Sequence, residues 1–316
     1  MKLLKRLFKI YSPSYKEGAM ITFIQEYCSQ IPGVECAIDS IGNLYITKGK
    51  ASSYPCVVAH LDQVQSNHSK DFVAVETKDI IFGYSPSNKR REGLGADDKN
   101  GIWIALKCLK KYDTLKVAFF VGEEVGCVGS SKACIEFFDD TRFVIQPDRR
   151  GCTDLVTSIG FTELCSKEFL DSTNYTDYGY EESDGMLTDV LSLKELGLPV
   201  SCINLSCGYY EPHTSNEFVV KDDLINCLAL VEHIIENCTQ PYPHQFKEGY
   251  GFYHYKNEDV EEAEFEIWTY LDYNYPIITN ASELMEVFKH DYPSLTIDDY
   301  EKILEEHELY MSDCML

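Results

Sequence analysis

Four short apolar runs punctuate the first 240 residues: CVVA at 56–59, VAFFV at 117–121, FVI at 143–145 and VSCINL at 200–205. None alternates with polar residues, so each predicts a strand buried on both faces, as inside a largely parallel sheet. Between them apolar residues recur at helical spacing. Ile102, Leu106 and Leu109 do so within 99–111, Leu187, Val190 and Leu193 within 186–196, and Leu224, Leu228, Val231 and Ile235 within 222–236. Residues 17–29 place Ile21, Ile24 and Cys28 in the same way and stop before Ile31-Pro32-Gly33. Residues 34–47 predict a hairpin that turns at Gly42-Asn43. Strands alternating with helices indicate an α/β architecture.

The two ends read differently. At the N-terminus, Lys2, Lys5, Arg6 and Lys9 interleave with Leu3, Leu4, Leu7 and Phe8, which predicts an amphipathic helix docked on the domain. It lacks the unbroken apolar stretch of a signal peptide, and no run in the chain approaches the ~20 residues of a membrane span. From about 245 the composition shifts. Residues 245–316 hold eighteen Asp and Glu against four Lys and are rich in Tyr. Thr296 and Asp299 have the spacing of a capping box that opens a helix through Leu309. The expected organisation is one domain over 1–244 and an acidic, helical extension over 245–316.

The formal net charge of −24 excludes nucleic acid and anionic membrane as partners, since both demand a basic surface. Of that charge, −14 lies in the extension. The thirteen Cys form no CxxC pair and mostly sit in apolar runs, as Cys56, Cys202 and Cys227 do. They read as buried thiols in a reducing compartment, hence a cytoplasmic protein.

Candidate chemistry lies just beyond the predicted strands. Run 56–59 ends in His60-Leu61-Asp62, run 117–121 in Gly122-Glu123-Glu124, and run 143–145 is followed by Asp148 three residues on. Run 200–205 leads to Glu211-Pro212-His213, and Gly95-Ala96-Asp97-Asp98 precedes the helix at 99–111. Strand carboxyl ends form the ligand crevice of open α/β sheets, so five segments aim at one place. Asp62, Asp97, Glu123, Glu124 and Asp148 crowded there would repel one another unless some are protonated or cations sit among them. Two His with several carboxylates suit Zn²⁺, with Mn²⁺ or Co²⁺ as competitors, and a pair of ions would share one bridging carboxylate. Each piece alone also has an ordinary structural reading. Asp97-Asp98 would cap a helix, Asp148 would pair with Arg149 or Arg150, and His213 would be a loop histidine.

The segments AHLDQV (59–64), GLGADDKNGI (93–102), VGEEVGCVGS (121–130), Asp148 and EPHTSNE (211–217), together with YSPSYKEG (11–18) and IDSIGNLYITKG (38–49), resemble the zinc-dependent exopeptidases with a two-metal site, the group of dizinc aminopeptidases and peptidase T-like enzymes. The resemblance covers roughly residues 7–240. It implies a three-layer α/β/α sandwich around a mixed, largely parallel sheet. It also implies that His60 and Asp148 hold one metal, Glu124 and His213 the other, and Asp97 both. Asp62 would orient His60, Glu123 would be the general base, and the Asp97–Asp98 peptide would be cis. Sixty-five residues separate Asp148 from His213 and thirty-seven separate His60 from Asp97. The first interval has room for two strands and a helix or two and the second for a hairpin, which implies a catalytic domain without the lid insertion of many relatives. Asp189, in a stretch resembling the family's Gly-Thr-Asp segment, would face the substrate's amino group or cap its helix. The activity so implied is metal-dependent removal of N-terminal residues from small peptides. An N-acyl amino-acid deacylase and a non-catalytic binding protein on the same fold are the alternatives.

Overall fold

The computed structural model describes residues 1–160, 162–245, 267, 271, 280–289, 292, 295–297, 299–304 and 307. The chain divides into two compact units, Met1–Gly249 and Tyr250–Leu316.

Among the described residues the first unit carries fourteen strands: β1 (Val34–Ile38), β2 (Leu44–Lys48), β3 (Tyr54–His60), β4 (Val73–Glu76), β5 (Ile80–Ser85), β6 (Arg90–Glu92), β7 (Leu115–Phe120), β8 (Thr141–Arg149), β9 (Asp154–Ile159), β10 (Thr162–Glu163), β11 (Glu181–Gly185), β12 (Cys202–Ser206), β13 (Tyr209–Tyr210) and β14 (Phe218–Val220). Its helices are α1 (Lys2–Leu7), α2 (Gly18–Cys28), α3 (Ala96–Lys111), α4 (Lys167–Thr173), α5 (Asp189–Glu195) and α6 (Lys221–Asn237). A nine-stranded sheet runs β1-β2-β7-β3-β8-β12-β9-β10, with β11 also on β9. Its centre, β7-β3-β8-β12, is parallel, and β2 and β9 flank that centre antiparallel. This is the mixed, largely parallel sheet between helical layers that the resemblance implies, and the α/β architecture expected from the alternation.

The four apolar runs fall on the central strands, and their alternate side chains enter two different cores. Val57 and Ala59 of β3, Val117 and Phe119 of β7, and Ile203 and Leu205 of β12 join one core, beneath α1, α2, α3 and α6. Cys56, Val58, Ala118, Phe120, Val144 and Cys202 join the other, under α5 and the turns at 130–138. Leu4, Leu7 and Phe8 are fully buried, so the amphipathic N-terminus spends its apolar face on packing. Among the described residues no helix is long and apolar enough to cross a membrane.

Three expectations need correction. The β1–β2 hairpin forms, but Gly42-Asn43 is not a two-residue turn. The connection is a five-residue loop in which Asp39 Oδ1 accepts N–H bonds from Ile41, Gly42 and Asn43. The segment between His60 and Asp97 holds more than a hairpin. β4, β5 and β6 pair antiparallel and, through β14, build a second five-stranded sheet. The interval from Asp148 to His213 holds strands β9 to β13 with α4 and α5, more than the two strands expected.

In the second unit, Asn280 caps α7 (Ala281–Phe288) by accepting from Glu283 N–H. Thr296 and Asp299 form the expected reciprocal pair, with Thr296 N–H and Oγ1 each 2.6 Å from Asp299 Oδ2, and 299–304 is helical. The expected end at Leu309 lies outside the described residues. Ile267, Leu271, Leu284, Phe288, Tyr300 and Ile303 make this unit's own small core.

Candidate active site

Each predicted site residue sits at or beyond the carboxyl end of a central strand, or on a loop reaching over it. His60 is the last residue of β3, and Asp62 follows two residues on. Asp148 lies inside β8, not beyond it, because that strand continues through Gln146 and Pro147. Glu123 and Glu124 open a 3-10 turn entered through Gly122, whose φ of +62° favours glycine. His213, on the loop between β13 and β14, also has a positive φ, +61°.

These segments meet. His60 Nε2 is 3.0 Å from Asp97 Oδ1 and 3.5 Å from Asp148 Oδ1. His213 Nε2 is 3.3 Å from Asp97 Oδ2 and 3.0 Å from Glu124 Oε2. Asp97 therefore divides its two oxygens between two histidines, each accompanied by one further carboxylate. Glu123 stands farther off, its Oε2 3.9 Å from His60 Nε2.

Asp62 ties three segments together. One of its oxygens lies 3.3 Å from His60 Nδ1, and its carboxylate accepts from the Ser14 hydroxyl at 2.7 Å and from the N–H groups of Glu123 and Glu124. The Asp97–Asp98 pair does both jobs proposed for it. Across a cis peptide, Asp97 faces the histidines while Asp98 accepts from Gly101 N–H at 2.8 Å and caps the regular part of α3. Asp148 pairs with neither arginine. Arg149 is held by Asp154 at 2.7 Å, and the Asp148 carboxylate accepts from Gln146. Asp189 neither caps α5 nor reaches solvent. It is fully buried, and its Oδ2 accepts from the same Gln146 amide that holds Asp148.

Sequence reading missed the residue that carries the Asp97 loop. Glu217 is fully buried and accepts backbone N–H bonds from Leu94 (2.6 Å), Gly95 (2.7 Å), Ala96 (2.8 Å) and Asp97 (3.4 Å). Behind it a buried chain of amides runs from Glu217 through Gln65 and Gln63 to the ammonium of Lys99. The only sequence signal was an acidic residue four positions after His213; its partners lie about 120 residues away. Burial pushes the Glu217 carboxyl up to about 7, against the pull of its N–H donors. Glu217→Ala would leave several buried donors unpaired at about 1–3 kcal/mol each. Urea denaturation of that variant is expected to show roughly 3 kcal/mol or more of lost stability; a loss under about 1 kcal/mol would mean the loop holds itself.

The electrostatics of the cluster follow from crowding. Burial opposes a charge on His60, yet Asp148, Asp62 and Asp97 raise its pKa well above the usual imidazole value. Hydrogen bonds to Asp97 and Glu124 push His213 up to about 10. Burial, with Asp148 nearby, raises the Glu123 carboxyl well above the ordinary range. Asp97 is lowered despite its burial, because His213 and His60 both donate to it. Protonated, the two imidazoles are the cations among these carboxylates; deprotonated, the same atoms form one nitrogen-and-oxygen donor set. Donor atoms of His60, Asp97 and Glu124 lie within 4.8 Å of one another, as do those of His60, Asp98 and Asp148. Glu124 Oε1 is buried without a hydrogen-bond partner. Imidazole and carboxylate donors at this spacing fit Zn²⁺, Mn²⁺ or Co²⁺.

No protein-family model matches the chain, and no curated protein matches it. Solved structures do. The aminopeptidase PepT from Bacillus cereus superposes with a TM-score of 0.61 at 15% identity, covering 76% of this chain and 98% of that one. A tripeptidase from Staphylococcus aureus gives 0.57 at 14% identity over 74% and 96% of the two chains. The Pyrococcus horikoshii TET1 peptidase, which assembles into a tetrahedron or a large octahedral shell, gives 0.54 at 14% identity over 74% and 98%. At these identities the likeness establishes the fold.

Proposed function

We propose that this chain is a metal-dependent aminopeptidase that removes N-terminal residues from small peptides. It would use two divalent cations, zinc first, with manganese or cobalt as substitutes. The observation that carries the reading is Asp97, whose Oδ1 faces His60 and Oδ2 faces His213. His60 and Asp148 would hold one ion, Glu124 and His213 the other, with Asp97 shared. When bound, such ions supply an acidified water and a polarised scissile carbonyl.

The remaining steps belong to the protein. Glu123 lies beside this set but outside its short contacts, so its carboxylate is free to take the proton of the attacking water and pass it to the leaving amine. Burial raises its proton affinity, which suits a group that must both accept and return a proton. Asp62 sits behind His60 and fixes the ring so that Nε2 points into the site. Gln146 does the same for Asp148. All of these residues lie in 1–244, which we take as the catalytic domain, with 245–316 as an appended extension. The twelve cysteines in described positions are free thiols, in keeping with a reducing, cytoplasmic setting.

Zinc-loaded protein is expected to contain two ions per chain and to hydrolyse amino-acid anilides and di- or tripeptides with free N-termini. Metal analysis and a substrate panel test this together. Preference for N-acylated substrates would replace the peptidase by a deacylase, and absence of stoichiometric metal would overturn the reading.

A further inference from the structure

Two cysteines face one another between α2 and the edge of the main sheet. Cys28 is the last residue of α2 and is buried in the core that this helix covers, with Met20 and Ile24. Cys36 is the middle residue of β1 and is exposed. The strand register fixes which way Cys36 points. It stands opposite Ile46 in the antiparallel pair of β1 and β2, and residues so paired share a face. Ile46 belongs to the core that holds Cys28, and Val34, two residues before Cys36, packs against that core. Cys36 therefore lies on the α2 side of the sheet, at its margin. The two thiols meet there, Cys28 donating a hydrogen bond to the Cys36 sulfur. That bond holds the Cys36 thiol below its usual value against the effect of burial, and the same bond together with burial raises Cys28. An exposed thiol with thiolate character beside a buried second sulfur has what a redox pair needs, one group to oxidise first and one to resolve it. Cys134 is exposed as well, but its sulfur meets Glu136 Oε2 at 3.4 Å, a carboxylate with no thiol to offer.

We propose that Cys36 and Cys28 close into a reversible disulfide when the protein meets hydrogen peroxide, and that this bridge ties the edge strand β1 to α2. The Cys36 thiolate attacks the peroxide. One oxygen passes to sulfur, giving a sulfenic acid, and the other leaves as water. Cys28 then attacks the Cys36 sulfur, the S–S bond forms and a second water departs. The two sulfurs give up two electrons in all, and one peroxide becomes two waters. A dithiol reductant reverses the bridge by exchange. β1 is a strand that such a tie serves. Among the described residues it pairs with β2 alone, and four of its five residues are exposed. An edge strand of this kind is among the first elements to open locally. α2 offers a firm post, since the Glu17 side chain at its start accepts from Gly122 N–H at 3.2 Å.

The tryptic peptide 17–48 contains Cys28 and Cys36 and no other cysteine, so its mass reports on the pair. The full-length protein is treated with a small excess of hydrogen peroxide, alkylated and digested. Peptide 17–48 is expected to appear unalkylated and lighter by two hydrogens, with its thiols consumed about tenfold faster than that of Cys134. Dithiothreitol should restore both alkylation sites. In Cys28→Ser, Cys36 is expected to stop at the sulfenic acid, which dimedone captures. Oxidised wild type is expected to melt about 4 °C or more above the reduced protein, and Cys28→Ser should show no such difference. The wild-type readings hold whether or not the variant folds. A peptide 17–48 that keeps both thiols while Cys134 oxidises overturns the pair. So does a wild-type Cys36 that passes to the sulfinic acid with Cys28 still alkylated. A bridge that forms without raising the melting temperature overturns the tie between β1 and α2.

Discussion

Glu123→Gln is expected to lower kcat by about 10³-fold while leaving the fold and the metal content of the protein unchanged. The substitution keeps the shape of the side chain and removes its capacity to accept a proton. The nearest contacts of Glu123 predict that little else changes. Its Oε2 is 3.9 Å from His60 Nε2 and its Oε1 is 3.8 Å from the Cys127 thiol, neither of which holds a strand or a turn in place. The turn itself is anchored from outside, by the Asp62 carboxylate on the backbone N–H groups of Glu123 and Glu124. Steady-state kinetics with an anilide substrate, beside metal analysis of the same preparation, separates the outcomes. A variant retaining more than about a tenth of the wild-type rate would remove Glu123 from the role of general base, which is worth 10²- to 10⁴-fold where it operates. A variant that lost metal as well would make Glu123 a ligand.

Asp97→Asn is expected to be the most damaging single change to the cluster. Each oxygen of Asp97 serves a different histidine, and an amide offers only one acceptor in place of two. Bound metal is expected to fall from two ions per chain to one or fewer, with hydrolysis reduced at least as far as in Glu123→Gln; retention of two ions would refute the shared role. The same substitution has a signature in protein stripped of metal. Hydrogen bonds to Asp97 and Glu124 raise the folded-state pKa of His213 from 6.5 to about 10. A group that binds its proton more tightly when folded contributes stability that is complete below pH 6.5 and is lost as the pH rises to about 10. Melting of the stripped protein should therefore weaken across that window, and less so in Asp97→Asn, where one of the two partners is neutral.

Much of this architecture was legible in the sequence because burial on both faces leaves a plain mark. The runs at 56–59, 117–121 and 200–205 became β3, β7 and β12, trimmed or extended by one to three residues. The run at 143–145 understated β8. That strand continues through Gln146 and Asp148, polar positions buried because they meet other polar groups and not because they are apolar. The second sheet left little trace. VAVE and RRE are short and half-exposed, and β5 gains its other neighbour only from residues 218–220, far along the chain. The same distance hid Glu217 and Gln146. Nothing local to either residue tells that it will close hydrogen bonds with residues as far as 42 to 152 positions away. The histidines and carboxylates at the site were visible because they stand beside strands that were themselves visible.

The Glu217 carboxylate also dictates an order of assembly. It joins the loop before α3 to the loop that carries His213 across 123 residues of sequence, so the half of the cluster containing His213 closes only after nearly the whole first unit has been made. A ribosome that has delivered residues 1–150 has released His60, Asp97, Glu124 and Asp148, but nothing yet pins the Leu94–Asp97 backbone. The Leu94–Asp97 backbone of the emerging chain therefore lacks its Glu217 acceptor until residue 217 arrives, and the cation site proposed above would be completed late in synthesis. Amide exchange should bear the imprint of that history, with Leu94, Gly95 and Ala96 opening together with the 211–217 loop as one cooperative unit.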